Sequence, residues 1–342
     1  MPPQKLFIKT YGCQANINDS EIILRQFEKK GYEIADNENK ADIIFINSCT
    51  VKNKTQSKIL HYINKYYGKK KIIIGGCLVK TNNLKKQFPL VEIADTIKLK
   101  RLGVELVRKD KNIAIIQISK GCLNECTYCA TRIAKGRLES YPISKIKKEL
   151  ERAVNEECKI IYLTSQDNGC YGFDIKTNLA KLLKELVKVE GNYKVRIGMA
   201  NPWHIAKFFD SLIEVFKSDK IIKFLHIPIQ SGSDKILKNM KRAGKVEDFK
   251  KIVNKFRRKF PRRKFSDSTI ATDIIIGYPS ETEEEFEKTI ELIKEIKPEV
   301  LNISVFSSRG GTEASRLKQL PSEVIKKRSK RLSEIYRKYK KN

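Results

Sequence analysis

The sequence predicts an α/β protein in two parts: an N-terminal parallel α/β sheet domain over residues 1–105 and a partial (β/α)6 barrel over residues 112–320. Short apolar runs recur along the chain with amphipathic stretches between them. That is the βαβα order that implies parallel strands joined by crossover helices. At 342 residues the chain is long enough for two domains with sizeable cores. A basic connector, roughly residues 98–112, separates a first series of three strands from a second series of six.

In order, the first series opens with a strand at Leu6–Lys9 and a helix over Asp19–Lys30, capped at Asn18/Asp19 and closed at Gly31. A strand at Asp42–Asn47 is followed by a helical stretch to about Tyr67, a strand at Lys71–Gly75 and a short helix near Leu84–Gln87. Beyond the connector, strands are expected at Ile113–Ser119, Lys159–Thr164, Lys194–Gly198, Lys223–Ile227, Thr269–Ile275 and Val300–Phe306. Helices fall between them at about Ser144–Glu157, Asn178–Val189, His204–Lys217, Val246–Lys259 and Thr282–Lys297. The run Ser280-Glu281-Thr282-Glu283 fits a capping box for the last of these. Residues 321–342 read as a basic C-terminal helix with an apolar stripe at Ile325, Leu332, Ile335 and Tyr339. Its charges include Lys326, Lys327, Arg328, Lys330, Arg331 and, further on, Lys341. The first five are candidate RNA contacts, with a solvated face as the alternative.

Charge and composition bound the function. The chain carries 70 Lys+Arg against 40 Asp+Glu, a formal net charge of +30. Such an excess attracts polyanions, nucleic acid above all, although a composition biased toward Lys, Ile and Asn would also produce it. The longest apolar runs are strand-sized, too short to span a bilayer, and Met1-Pro2-Pro3-Gln4-Lys5 has no cationic-then-apolar signal pattern. A soluble, cytoplasmic protein is expected, and in that compartment eight cysteines point to metal or redox chemistry over disulfides. The three histidines, His61, His204 and His226, do not sit at zinc-finger spacing.

Cys122-Leu123-Asn124-Glu125-Cys126-Thr127-Tyr128-Cys129 follows the first strand of the second series. Barrels of this kind place their chemistry on the loops at strand C-termini. The C-x-x-x-C-x-x-C spacing curls one loop around a cubane iron–sulfur cluster and supplies three thiolates where four are usual. An iron without a protein ligand is free to bind and activate something else. Cys13, Cys49 and Cys77 are far apart in sequence, yet each lies just past one of the three N-terminal strands. In a parallel sheet those ends share one edge, so the three thiols should converge on a second cluster. Gly12 and Gly76, just before Cys13 and Cys77, would let the backbone turn tightly there. Cys158 reads as a packed residue, and Cys170, in the loop after the second strand of the second series, reads as packed with a place near the cofactor as the alternative.

With both triads in view, the chain resembles the radical S-adenosylmethionine (SAM) methylthiotransferases over nearly its whole length. It is most similar to the archaeal and eukaryotic branch that acts on threonylcarbamoyladenosine in tRNA. The resemblance is carried by Thr10-Tyr11-Gly12-Cys13-Gln14-Ala15-Asn16, Asn47-Ser48-Cys49-Thr50-Val51-Lys52 and the segment Gly121–Cys129 with Tyr128 before its third cysteine. Arg196-Ile197-Gly198-Met199-Ala200-Asn201-Pro202 and His226-Ile227-Pro228-Ile229-Gln230-Ser231-Gly232-Ser233 add to it. The resemblance implies two [4Fe–4S] clusters, one on Cys122, Cys126 and Cys129 that binds SAM and cleaves it to a 5′-deoxyadenosyl radical. The other, on Cys13, Cys49 and Cys77, would hold the sulfur, and a second SAM would supply the methyl group in each turnover. The implied product is the 2-methylthio derivative of N6-threonylcarbamoyladenosine at position 37 of the tRNA anticodon loop, made with an external electron donor and no membrane partner. The implied SAM contacts are Tyr128, Ser165, Gln166, Asp167, Arg196, Gln230, Ser231, Asp273 and Gly277.

The chain departs from the family pattern at Gly277-Tyr278-Pro279-Ser280-Glu281-Thr282 and at Ser308-Arg309-Gly310-Gly311-Thr312-Glu313-Ala314. It also ends at Asn342, where family members continue into a small β-barrel RNA-binding (TRAM) domain. The alternatives are the same chemistry on isopentenyladenosine in tRNA or on a ribosomal-protein aspartate. Outside that class stand a non-catalytic iron–sulfur RNA-binding protein and a zinc-binding RNA module.

Overall fold

A computed structural model describes residues 2–51, 53–262, 264 and 268–341. Lys52 of the Cys-Thr-Val-Lys run, Met1 and the Lys341 side chain lie outside the described residues. The chain forms two compact units, each assembled from separate stretches. The first comprises Met1–Cys122, Ala130–Ser165 and Gly191–Tyr193; the second comprises Leu123–Cys129, Gln166–Glu190 and Lys194–Asn342.

In the first unit, β1 (Lys5–Thr10), α1 (Gln14–Glu28), β2 (Glu33–Ile34), β3 (Ile43–Ser48), α2 (Asn53–Tyr66), β4 (Lys71–Gly76), α3 (Leu78–Thr81), α4 (Leu84–Gln87) and β5 (Glu92–Ile93) build a parallel sheet in the order β2-β1-β3-β4-β5. The central strand β3 is buried along its whole length, which is why it reads as a continuous apolar run. One face of the sheet packs Ile44, Ile46, Ile72 and Ile74 against Ile59 and Ile63 of α2; Leu6, Ile43 and Phe45 pack with Ile23 of α1. The edge strands β2 and β5 are two residues long and exposed, so they leave no periodic signature. The same unit continues through β6 (Ile113–Gln117), β7 (Ser119–Lys120), α5 (Thr131–Lys135), β8 (Glu139–Ser140), α6 (Ile143–Asn155) and β9 (Ile160–Thr164). Strands β6 and β9 pair in parallel, from Ile113 opposite Ile160 to Gln117 opposite Thr164.

The first helix corrects the sequence reading. It starts at Gln14, with Cys13 as the N-cap residue, and not at Asn18/Asp19. Asn18 and Asp19 are interior residues of α1, 1% and 0% exposed, and both accept hydrogen bonds from Gln117 Nε2 of β6, at 3.0 and 2.8 Å. Their cap-like chemistry is used by tertiary partners instead.

The second unit contains α7 (Leu179–Leu186), β10 (Lys194–Ile197), α8 (Pro202–Ile205), α9 (Phe209–Phe216), β11 (Phe224–His226), α10 (Asp234–Asn239), α11 (Val246–Lys259), β12 (Thr269–Ile276), α12 (Glu283–Ile296), β13 (Val300–Val305) and α13 (Ser322–Lys341). Strands β11, β12 and β13 pair in parallel. With β6, β9 and β10 they are the six strands that alternate with helices in the partial barrel series. The helix expected over His204–Lys217 is divided by a 3-10 turn at Ala206–Phe208, and Pro202 opens its first part. The cap of α12 is Thr282, whose hydroxyl accepts from Glu285 N at 3.3 Å, two residues later than the expected capping box; Ser280 instead takes φ 79°.

Helix α13 packs along β13 through its aromatic residues. Tyr336 Oη donates to Glu299 O at 3.0 Å and Tyr339 Oη to Pro298 O at 3.1 Å. Two of its expected RNA contacts are committed elsewhere. Arg328 is 5% exposed, donates to Glu281 O and Oε2 at 2.9 Å each, and pairs with Glu283 at 3.0 Å. Arg331 pairs with Glu287. Lys326, Lys327 and Lys330 remain exposed.

Candidate functional site

The first unit brings Cys13, Cys49 and Cys77 to one edge. They follow β1, β3 and β4, which are adjacent in the sheet and parallel, so register places their C-termini side by side. Cys77 N donates to Ser48 O at 2.9 Å, and Tyr11 N donates to Asn47 O at 2.9 Å, tying the three turns together. Asn16 completes the brace, its Nδ2 donating to Tyr11 O and Ser48 O at 2.8 and 2.9 Å. The glycines are sterically required. A Cβ on Gly12 would lie 2.9 Å from Cys49 Cβ and 3.1 Å from Cys49 Sγ, and one on Gly76 would lie 2.3 Å from Ser48 O. Cys13 is exposed, whereas Cys49 and Cys77 are buried. Burial pushes the Cys77 thiol up to about 12; Lys135 pulls it down, and Cys13 and Cys49 push it further up.

In the cysteine loop, Cys122 belongs to the first unit, where its N–H donates to Gly136 O at 3.2 Å. Cys126 and Cys129 belong to the second, linked by Cys129 N donating to Cys126 O at 3.0 Å. The loop is pinned at Thr127, whose N–H donates to Met240 O at 3.1 Å and whose carbonyl accepts from Ala314 N at 2.9 Å. Thr127 Oγ1 lies 2.8 Å from Tyr278 Oη. Tyr128 packs against the apolar cluster of Ile236, Met240, Tyr278 and Phe306.

Arg242, which sequence reasoning missed, organises this loop. Its Nη1 donates to Tyr128 Oη at 3.0 Å and lies 3.9 Å from Cys126 Sγ; its Nη2 donates to Asn201 Oδ1 at 2.8 Å and to Pro228 O. The guanidinium also stacks 4.2 Å from the Trp203 ring centre, an arrangement that suits arginine and not lysine.

The remaining expected contacts divide. Gln166 Oε1, Gln230 Oε1 and Ser165 Oγ are buried without a hydrogen-bond partner among the described residues. Gln230 also holds φ 77°, a strained value for a non-glycine, fixed by its N–H to Asp273 O at 2.8 Å and its carbonyl from Ile275 N at 2.9 Å. Arg196 lies 4.1 Å over the Phe224 ring. Asp273 is held by His226 Nε2 at 3.1 Å and Asn302 Nδ2 at 2.6 Å. Burial opposes its charge, but those partners win and its carboxyl stays below the usual range.

Three others do not present free groups. Asp167 is wholly buried and accepts from Asn124 Nδ2, Gly169 N, Asn201 N and Nδ2 and His204 Nδ1, all between 2.6 and 2.9 Å. A carboxylate has about four lone-pair directions, so none is left for a ligand. Ser231 is 0% exposed and its hydroxyl serves Ser233 N and Thr289. Gly277 has φ 77°, and a Cβ there would lie 2.5 Å from Ile325 Cγ1, so its smallness serves the packing of α13. Cys158 and Cys170 are buried and donate to Lys111 O and Asp167 O, as expected of packed residues.

A (β/α) series whose first strand leads into a C-x-x-x-C-x-x-C loop, joined to a parallel sheet with three cysteines on one edge, defines a radical SAM protein with a second cysteine centre. Residues 5–95 match the model described as Uncharacterized protein family UPF0004, and residues 116–293 match the Radical SAM superfamily. The probable threonylcarbamoyladenosine tRNA methylthiotransferase of Pyrococcus horikoshii is 40% identical over 97% of this chain and 83% of its own length. The corresponding protein of Methanocaldococcus jannaschii is 38% identical over the same shares, and the human threonylcarbamoyladenosine tRNA methylthiotransferase is 37% identical over 98% of this chain and 63% of its own. Among solved structures, the radical S-adenosylmethionine methyltransferase TsrM from Kitasatospora setae has a similar fold, with a TM-score of 0.63 at 12% identity over 91% of this chain and 75% of that one. The chain belongs to the threonylcarbamoyladenosine tRNA methylthiotransferase family of radical SAM enzymes.

Proposed function

We infer that this chain is the enzyme that converts N6-threonylcarbamoyladenosine in tRNA to its 2-methylthio derivative. The observation that carries the reading is the pairing of two three-cysteine sets, one on the edge of the N-terminal sheet and one in the barrel loop, in a chain about 40% identical to archaeal relatives of that name. The C2–H of a purine is neither acidic nor electrophilic enough for side-chain acid–base chemistry, so cofactors must supply the hard step. When bound, SAM with a [4Fe–4S] cluster supplies one-electron hydrogen abstraction and methyl transfer, and a second cluster supplies the sulfur.

The chain's own residues bind and position. Cys122, Cys126 and Cys129 hold the cluster that binds SAM, and Arg242 fixes Tyr128 beside Cys126. The orphaned oxygens of Ser165, Gln166 and Gln230 suit the ammonium and hydroxyl donors of SAM. Arg196 is the partner for its carboxylate. Cys13, Cys49 and Cys77 hold the sulfur-donating cluster. Lys326, Lys327 and Lys330 form an exposed basic row for tRNA phosphates, and the base acted on is position 37 of the anticodon loop. The reaction takes place in the cytoplasm with electrons from an external donor. No helix among the described residues is long and apolar enough to cross a membrane.

The test is anaerobic reconstitution of the full chain. About eight irons per chain are expected, from two four-iron clusters. Cys126→Ala should lose SAM cleavage and product together, whereas Cys49→Ala should keep cleavage and lose sulfur insertion. Full product formation by Cys49→Ala would overturn the two-cluster reading.

A further inference from the structure

Lys135 ends α5 and is one of the few deeply buried lysines in a chain whose other lysines are mostly exposed. Its Nζ lies 3.3 Å from Asp19 Oδ2. Asp19 is already satisfied by Arg101, whose Nε and Nη2 reach Oδ1 and Oδ2 at 2.8 and 3.3 Å, and by Gln117 Nε2 at 2.8 Å. Two cations therefore share one carboxylate. The side chains of Arg101, Lys135 and Asp19 are 1%, 4% and 0% exposed, so one of the two buried positive charges has no carboxylate of its own among the described residues. Such a charge is expensive unless an anion meets it.

The group available to meet it is Cys77. Lys135 reaches Asp19 of α1, the helix that Cys13 caps, and its own helix α5 packs against α3, which Cys77 caps. A protonated thiol offers no compensation. Metal binding does, because ligating cysteines must give up their protons. We propose that Lys135 is the built-in counter-cation of the iron–sulfur site on Cys13, Cys49 and Cys77, stabilising its thiolates and setting the bound cluster's reduction potential. This rests on the reading that those cysteines hold a cluster. A nearby positive charge favours the more negative, reduced state, so Lys135 raises the potential and Asp19 lowers it.

The test uses the full chain with Cys122, Cys126 and Cys129 replaced by alanine, so that a single cluster site remains. After anaerobic reconstitution, iron content and the midpoint potential are measured for this parent and for Lys135→Met, Lys135→Arg and Asp19→Asn within it. The parent should bind about four irons. Lys135→Met should shift the potential to more negative values and lose iron several-fold faster to a chelator, while Lys135→Arg should behave as the parent. Asp19→Asn should shift the potential the opposite way. If Lys135→Met does not fold, the sign of the Asp19→Asn shift decides. A parent-like potential in Lys135→Met, or an unshifted or more negative potential in Asp19→Asn, would overturn the proposal. A parent that binds no iron would instead overturn the cluster reading beneath it.

Discussion

Replacing Asp167 with asparagine tests whether the polar hub of the second unit is structural. Oδ2 receives Asn124 Nδ2, Asn201 Nδ2 and His204 Nδ1, and Oδ1 receives Gly169 N and Asn201 N. An asparagine keeps one oxygen and turns the other into an NH2 group. Whichever way that amide sits, at least two buried donors face another donor. Each buried donor left without an acceptor costs about 1–3 kcal/mol, so Asp167→Asn should lose about 2–6 kcal/mol of folding free energy. The sign of the pH dependence follows from the shift. Burial alone would raise the carboxyl, but His204 and Asn201 outweigh it, and its folded value lies below the usual aspartate range. Its contribution is therefore fully present above the ordinary aspartate value of about 3.9 and is lost as pH falls through the folded value. Urea unfolding of the metal-free, reduced chain, followed by circular dichroism, should show the widest gap near neutral pH and a narrowing gap below about pH 4. A loss smaller than about 0.5 kcal/mol at pH 7 would refute the assignment of Asp167 as a fully engaged hub.

Cys77, pushed up to about 12 by burial, should resist iodoacetamide at pH 8 in the metal-free protein, while the exposed Cys13 reacts; peptide mass spectrometry of the alkylated chain reads the difference. Gly277→Ala places a Cβ 2.5 Å from Ile325 Cγ1 at a left-handed φ, and thermal unfolding should report a loss of about 1–3 kcal/mol. The triple substitution of Lys326, Lys327 and Lys330 by alanine should weaken tRNA binding and flatten its salt dependence by up to about 2–3 in log–log slope, with stability unchanged. Arg328→Ala should instead cost about 3–5 kcal/mol of stability by stranding the buried Glu281, a difference that denaturation measures directly.

Much of the architecture was legible in the residues. The apolar runs of β3, β4 and β6 mark buried parallel strands, that of β1 a half-buried one, and Cys13, Cys49 and Cys77 follow from topology alone, because every strand of a parallel sheet ends on the same edge. What stayed hidden depends on tertiary partners. Asn18 and Asp19 have the chemistry of a helix cap, and only the arrival of Gln117, Arg101 and Lys135 makes them interior residues of α1. Lys135, Arg242 and Arg328 could not be told from surface charge in a chain with 70 Lys+Arg, since nothing local distinguishes a buried cation from a solvated one. Among the expected SAM contacts, strand-end position alone did not separate Gln166 and Gln230, which keep orphaned oxygens, from Asp167 and Ser231, whose groups are consumed within the fold.

The central claim is that two cysteine centres act together on threonylcarbamoyladenosine. Its most direct test is nucleoside mass spectrometry of tRNA carrying N6-threonylcarbamoyladenosine, incubated with the reconstituted enzyme, SAM and a reductant. The account predicts a SAM-dependent 2-methylthio derivative of that nucleoside, absent with Cys77→Ala. An unchanged nucleoside, or methylthiolation of isopentenyladenosine tRNA in its place, would contradict it.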